Sequence, residues 1–478
     1  IGLFADVDYK YKFPGLDEYY QDPVKFEAGS RLKTEKNEWE TIVEKVAPAE
    51  VRKATEYSAD ASRKKRGFDE PISSANKPKF IVVTTSGGAY TATFFTAAVL
   101  DRLRQESRAN GQLPGFDQNI RLMTGASGGL VGAAYFAVLP KHFPNGSDNL
   151  KLVDLISADI SAANKGGEDN PLGFATRAPR DSLTAVAQQL AKGDIFDIVF
   201  PIKRDRDRGL ALEQQWRMLD VTFADMKPLE AEGLAPSLIF SPMLVETGQP
   251  MFISNLDLSG LPKQEYGQTL NFFETFPKAY RTFSLATAAR MNSTFPFVSP
   301  AVDLPTQPIR RVVDAGYFDN FGMNMAVTYL RQPKIIELIR TLTSGVIIVQ
   351  INAYPIDATI DTAIKAECGS KSPTGKSKET QGFEFLLSPL EGLFAARNAS
   401  MVFRNEQELG GLIDLYKEKG LQLNRVTFEN KARSSFSWYL PDRDLKCMLE
   451  QLDADHNRSQ MSRLHALWTF RGANRQTE

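Results

Sequence analysis

The sequence is short of the residues that most directly announce a function. Cysteine occurs only as Cys368 and Cys447 in 478 residues. Two cysteines cannot build a disulfide framework, and they read as reduced thiols. Histidine occurs three times, as His142, His456 and His465. No His/Cys cluster stands at ligand spacing, so no metal is implied, and no cofactor is expected. No apolar run approaches the ~18 residues needed to cross a bilayer. Neither sign of charge dominates: 57 Lys and Arg against 58 Asp and Glu leave a net charge of −1. That balance excludes a global field drawing the chain to nucleic acid or acidic lipid. There is no internal repeat. The first residue is Ile1 rather than Met, so an upstream leader or anchor remains open.

What is present has the patterning of an enlarged α/β protein. Residues 1–78 are aromatic and charged without a clear period, and read as an arm and linker. Tyr9, Tyr11, Phe13, Tyr19 and Tyr20 predict that the arm packs on something larger. The basic cluster Arg63-Lys64-Lys65-Arg66 reads as a solvated linker, with transient membrane-surface contact as the functional alternative. Patterning sharpens at Lys79–Thr84, a β-branched run expected as a buried strand. Ser86-Gly87-Gly88-Ala89-Tyr90 follows, then a helix over 91–105 with Phe94, Phe95, Ala98, Val99 and Leu103 on one face. A second strand, 119–123, runs into Gly125-Ala126-Ser127-Gly128-Gly129 and a helix over 130–139. Both units point their turns at the same edge of a parallel sheet, where α/β proteins place their sites. Gly345–Asn352 reads as another buried strand. The C-terminal part, from 356, is expected to be mostly helical and packed on the core, with a strand near 426–429.

Gly125-Ala126-Ser127-Gly128-Gly129 has the form Gly-x-Ser-x-Gly between a strand and a helix, which is the context of a nucleophile elbow. The sharp turn strains the serine backbone and requires neighbours without bulk, while the free N–H groups of the helix start face the hydroxyl. The bland alternative is a glycine-rich helix start. By chance the pattern arises in roughly one chain in six of this length. The Gly87-Gly88 turn lacks the later glycines of a dinucleotide loop and the Gly-Lys-Ser/Thr of a phosphate loop. An oxyanion hole remains, or a plain tight turn. Downstream, Asp314 ends a predicted strand, 309–313, at a turn that Gly316 permits. It is a candidate base, or an Asp capping its own turn.

Taken together, Ser86-Gly87-Gly88-Ala89-Tyr90, Gly125-Ala126-Ser127-Gly128-Gly129 and Asp314-Ala315-Gly316 resemble, in order, the three motifs of the patatin-like phospholipases. Ala288-Ala289-Arg290, Phe295-Pro296 and Asn320 fit the same resemblance, which spans about residues 79–330, with looser agreement to 355. It implies a patatin-like three-layer α/β/α core with a mainly parallel central sheet and helical additions, over 79–355, with 356–478 as an extension. It also implies a Ser127–Asp314 dyad without a histidine, and an oxyanion hole from the N–H groups of Gly87, Gly88, Ala89 and Gly128. The implied reaction is hydrolysis of lipid acyl esters through an acyl-enzyme. The first motif also resembles the cytosolic phospholipase A group, except that Ala89 replaces a glycine and Thr91 stands where that group has an arginine. That leaves neutral lipids and other esters open beside phospholipids. Asn292 stands where the family more often has Ser. The expected partners are a lipid or other acyl-ester substrate and no nucleic acid, and the expected location is cytoplasmic or peripheral to a membrane. A roof over an apolar channel is expected from parts of 165–210 or from 367–382.

Two rivals stay in view: a Ser-Asp-His hydrolase using His456 or His465, and a silent scaffold of the same shape. The dyad predicts that the double variant H456A/H465A hydrolyses a chromogenic ester at the wild-type rate. A triad predicts that it is inert.

Overall fold

The computed structural model describes residues 13–25, 77–108, 111–147, 149–165, 208–256, 258, 270–294, 301–355, 381–432 and 438–468, with backbone alone for 163–165, 208 and 381–396. The basic cluster 63–66 and most of the two segments expected to roof a channel lie outside these residues.

The central sheet forms from short β-branched runs buried on both faces. Strand β1 (Phe80–Thr85) alternates strictly. Phe80 and Val82 enter one apolar cluster, Ile81 and Val83 the other. Helix α1 (Ala89–Ser107) follows it. Strand β2 (Ile120–Gly125) pairs parallel with β1, with a register shift opposite Ile81/Val82. The shift takes in Arg121, whose guanidinium donates to the Gly233 carbonyl at 2.6 Å. Helix α2 (Ser127–Ala137) leaves β2, and strand β3 (Ser237–Ile239) pairs parallel beyond it. Helix α3 (Leu285–Met291) starts at Ser284, whose hydroxyl accepts the Thr287 N–H. Strand β4 (Arg310–Val313) precedes helices α4 (Met323–Leu330) and α5 (Pro333–Leu342). Strand β5 (Val346–Asn352) has all seven residues buried. Each such Val or Ile side chain contributes roughly 1.5–3 kcal/mol on burial. Helix α6 (Gln381–Glu418), strand β6 (Leu423–Glu429) and helix α7 (Asp455–Leu467) complete the framework.

The strand order is β6-β5-β1-β2-β3, parallel throughout. Helices α1 and α2 cover the face carrying Ile81 and Val83. Helices α4, α5 and α6 cover the other through Met325, Leu330, Ile339, Leu409 and Tyr416. The chain is therefore a three-layer α/β protein around a parallel sheet, as expected. One feature goes beyond the sequence reading and two differ from it. The strand before Asp314 is not part of the central sheet: β4 is the middle of a separate antiparallel sheet, between Met243–Leu244 and Val302–Leu304. The C-terminal segment supplies β6, an edge strand of the central sheet, rather than only packing on it. Cys447 is disulfide-bonded, not a reduced thiol; the other cysteine, Cys368, lies outside the described residues. Of the N-terminal arm, Phe13 and Leu16 are buried, and the Tyr19 ring meets Phe276 edge-on at 5.1 Å. Among the described residues no helix is long and apolar enough to cross a membrane.

The exposed side of β6 is blunted by α7. Gln460 Oε1 accepts the Thr427 N–H at 3.1 Å, and Asn457 Oδ1 accepts the Glu429 N–H at 3.0 Å. These side chains occupy donors that would otherwise pair with a foreign strand. Asn457 is fully buried and its amide also donates to the Glu429 and Gln451 carbonyls. Asn457→Ala leaves those groups unsatisfied and is expected to cost about 1–3 kcal/mol, measured as a lowered midpoint in urea unfolding.

Candidate active site

Two βα turns and one loop build the site. β1 ends at Thr85, and Ser86-Gly87-Gly88 leads into α1. Gly88 has φ +146°, and a Cβ there would lie 2.7 Å from the Tyr354 ring. Ala89, the first residue of α1, has φ +49°. In the neighbouring unit β2 ends at Gly125 and α2 begins at Ser127, also with φ +49°. Among the described residues, Ala89 and Ser127 are the only non-glycines with positive φ. Each costs on the order of 1–3 kcal/mol, and such strain concentrates at functional sites. The two helix starts abut: a Cβ on Gly128 would sit 1.9 Å from the Ala89 carbonyl oxygen, so no side chain fits.

Asp314 follows β4. Its N–H donates to the Thr294 carbonyl at 3.1 Å, and its Oδ1 accepts the Gly316 N–H at 2.7 Å. The capping reading of Asp314 is therefore correct, and it does not compete with a second role. Oδ2 is buried without a hydrogen-bond partner among the described residues. The Ser127 side chain is nevertheless close enough to act on the carboxyl as a hydrogen-bonding neighbour and lower its pKa. Ser127 and Asp314 are 4 % and 2 % exposed. Burial pushes the Asp314 carboxyl up to about 6; the Gly316 N–H, the Ser127 hydroxyl and the Arg397 charge oppose that rise, in that order.

Main-chain bonds hold these pieces together. The Asn292 carbonyl accepts both the Ser127 N–H, at 3.1 Å, and the Ala315 N–H, at 3.3 Å. The Asn292 side chain, fully buried, donates to the Gly125 carbonyl at 3.2 Å and accepts the Ser241 N–H at 2.8 Å. One residue thus ties the elbow to the Asp314 turn. The sequence marked Asn292 only as a departure from the family's serine, because a main-chain carbonyl's role leaves no trace in residue type. Asn320 closes the third side, its carbonyl accepting the Gly87 N–H at 2.9 Å.

That last bond corrects one expectation. Gly87 borders the site, since a Cβ on it would lie 3.3 Å from Ser127 Cβ, but its N–H is spent on Asn320 and is not an oxyanion donor. The N–H groups of Gly88, Ala89 and Gly128 have no backbone acceptor among the described residues. They belong to the first turns of α1 and α2 or the residue before, where helices leave donors unpaired. The histidines lie elsewhere. His142 Nε2 meets the Met218 carbonyl at 2.7 Å and His456 Nε2 the Glu429 carbonyl at 2.9 Å. Glu429 ends β6, three strands from β2, or about 14 Å across the sheet. His465 faces Glu106 at 3.8 Å, and Glu106 stands about 25 Å along α1 from Ala89. Among the described residues no three His, Cys, Asp or Glu side chains gather as metal ligands.

No protein-family model matches the chain, and no curated protein does. Solved structures do. Human GIVD cytosolic phospholipase A2 aligns over 88 % of this chain and 64 % of its own, with 10 % identity and a TM-score of 0.41. The same human protein in complex with methyl gamma-linolenyl fluorophosphonate aligns over the same shares, with 11 % identity and a TM-score of 0.40. The chain thus spans less than two thirds of the length of these proteins.

The Asp314 carboxyl holds its proton to about pH 6 in the folded chain, against 3.8 for an ordinary Asp. Ionising it therefore costs stability, and its contribution, full below pH 4, is lost as pH rises through 6. A rise of that size corresponds to on the order of 3 kcal/mol. Asp314→Asn is expected to be more stable than wild type at pH 8 and equal to it at pH 4, read by thermal unfolding at both.

Proposed function

We propose that the protein is a serine acyl hydrolase that cleaves carboxylic esters of lipids through Ser127 and Asp314. The observation that carries this reading is a strained, buried serine whose side chain acts on a buried carboxylate of raised pKa, with both turns bonded to the Asn292 carbonyl. A serine hydroxyl is a weak nucleophile unless a base lies within reach. A base with a pKa near neutrality combines the ionised form at working pH with useful basicity.

In the proposed reaction Asp314 takes the Ser127 proton as Oγ bonds to the ester carbonyl carbon. The negative charge moves to the carbonyl oxygen, which accepts hydrogen bonds from the N–H groups of Gly88, Ala89 and Gly128. Removing one such donor typically costs about 10²–10³ in rate. The carbon–oxygen bond to the leaving alcohol breaks, and that oxygen takes the proton from Asp314. Water then loses a proton to Asp314 and attacks the acyl-enzyme; the acid is released and the proton returns to Ser127. The positions of His456 and His465 favour the dyad over a histidine-based triad. The substrate class rests on the motif resemblance, and contact with a lipid surface would be peripheral.

A fluorophosphonate probe tests the reading. Wild type is expected to be labelled and to release fatty acid from an ester substrate. Ser127→Ala abolishes labelling, and Asp314→Asn slows it by roughly 10⁴-fold. Absence of labelling in folded wild type, with and without detergent, would overturn the proposal.

A further inference from the structure

Helix α6 brings to the Asp314 turn a row of side chains that none of the sequence motifs includes. The residues after Asp314-Ala315-Gly316 are Tyr317, Phe318 and Asp319, and each meets α6. The Arg397 guanidinium lies over the Tyr317 ring, 5.1 Å from its centroid. The Arg404 guanidinium lies over the Phe318 ring at 4.9 Å and donates through Nη2 to the Phe318 carbonyl at 2.8 Å. Asn405 Nδ2 donates to Asp319 Oδ1 at 3.2 Å, and Glu408 accepts from Asn324 Nδ2 at 2.6 Å. Residues 397, 404, 405 and 408 recur at helical spacing and so share one face of α6. That face docks on the turn carrying Asp314.

Arg404 and Asn405 hold the loop through its carbonyl, its ring and the buried Asp319. Arg397 differs in what its charge reaches. It acts on the Asp314 carboxylate as well as on Tyr317. The surroundings of Asp314 make that charge count. From α2 comes the Ser127 hydroxyl; from its own turn, the Gly316 N–H and Tyr317. From behind, the segment 292–294 supplies the uncharged Asn292 and Thr294, through carbonyls bonded to Ala315 and Asp314. The nearby Asp319 carboxylate is bonded to the Phe321 and Asn324 N–H groups and to Asn405, in the field of Arg404. Arg397 is thus the permanent positive charge acting on Asp314 among the described residues.

We propose that Arg397 is a positioning residue: stacked on Tyr317, it fixes a permanent positive charge beside Asp314 and thereby sets the acid limit of the pH range in which Asp314 serves as a base. This rests on the Ser127–Asp314 reading above. Arginine suits the role because its guanidinium stays protonated throughout the working range and its flat face stacks on an aromatic ring. Tyr317 is the platform on which that charge is stacked, three residues from Asp314. The C-terminal segment is therefore part of the proposed catalytic apparatus, acting through Asp314 rather than on substrate.

The experiment is the pH dependence of the second-order rate of fluorophosphonate labelling, in the full chain, for wild type, R397M, R397Q, R397K and Y317L. Near-ultraviolet circular dichroism checks each fold, and the two neutral variants are measured together so that a misfolded one does not decide the result. Wild-type labelling is expected to fall off below about pH 6. Loss of the charge moves that limb measurably to higher pH. R397K returns it to the wild-type position, and Y317L shifts it in the same direction as the neutral variants. A neutral variant whose limb overlies the wild-type limb overturns the proposal. So does R397K displaced as far as R397M, since packing rather than charge would then be responsible. Wild type that is not labelled at any pH defeats the hydrolase reading itself; labelled wild type with an unmoved limb defeats only the role of Arg397.

Discussion

Asp314 carries a carboxylate to a place where water cannot solvate it, and the neighbouring structure is arranged around that cost. Burial favours the protonated acid. Three groups oppose it: a backbone N–H two residues on, the Ser127 hydroxyl and the Arg397 guanidinium. They come from three parts of the chain, the Asp314 turn itself, the start of α2 and the middle of α6. The balance leaves a carboxyl with a pKa of about 6, a value that would suit the base proposed above for Ser127. A fully solvated aspartate would be a poorer base, and a fully unopposed buried one would stay protonated.

Holding that carboxylate against Ser127 is a problem of joining two sheets. Ser127 rides on the parallel sheet, at the end of β2, and Asp314 follows β4 of the antiparallel one. The Asn292 carbonyl bridges them by accepting an N–H from each side. The strained conformations of Ala89 and Ser127 persist because their surroundings leave no relaxed alternative. The starts of α1 and α2 are wedged together at Gly128, and the Ser127 N–H is already committed to Asn292. The strain places the serine side chain at the turn, with the N–H groups of Ala89 and Gly128 left without a backbone acceptor among the described residues.

The C-terminal segment is integral to this arrangement. β6 extends the sheet and α7 covers its open edge with side-chain amides. α6 crosses the far face and clamps the turn after Asp314 through two arginine–aromatic contacts and a hydrogen bond from Asn405 to Asp319, while Glu408 accepts from Asn324 of α4. Docking of α6 and the geometry of the Asp314 turn are therefore coupled, although the two are distant in sequence.

By itself, the sequence determined what depends on neighbours along the chain. The β-branched runs at 80–84 and 346–351 specified buried strands, because alternate side chains needed apolar contacts on both faces. Glycines around Ser127 and the Gly87-Gly88 pair specified sharp βα turns at one sheet edge, because only small residues allow that approach. The order of the three motifs marked Ser127 and Asp314 as candidates. Tertiary structure alone decided which groups those residues meet. The Gly87 N–H is taken by a carbonyl 233 residues away, at Asn320. β4 belongs to an antiparallel sheet rather than to the parallel one, and Cys447 is not a free thiol. Asn292 and Arg397 entered the site through a main-chain carbonyl and a charge stacked on a ring. Neither leaves a local pattern, because a carbonyl is common to every residue and an arginine's partner is set by which surfaces the fold brings together.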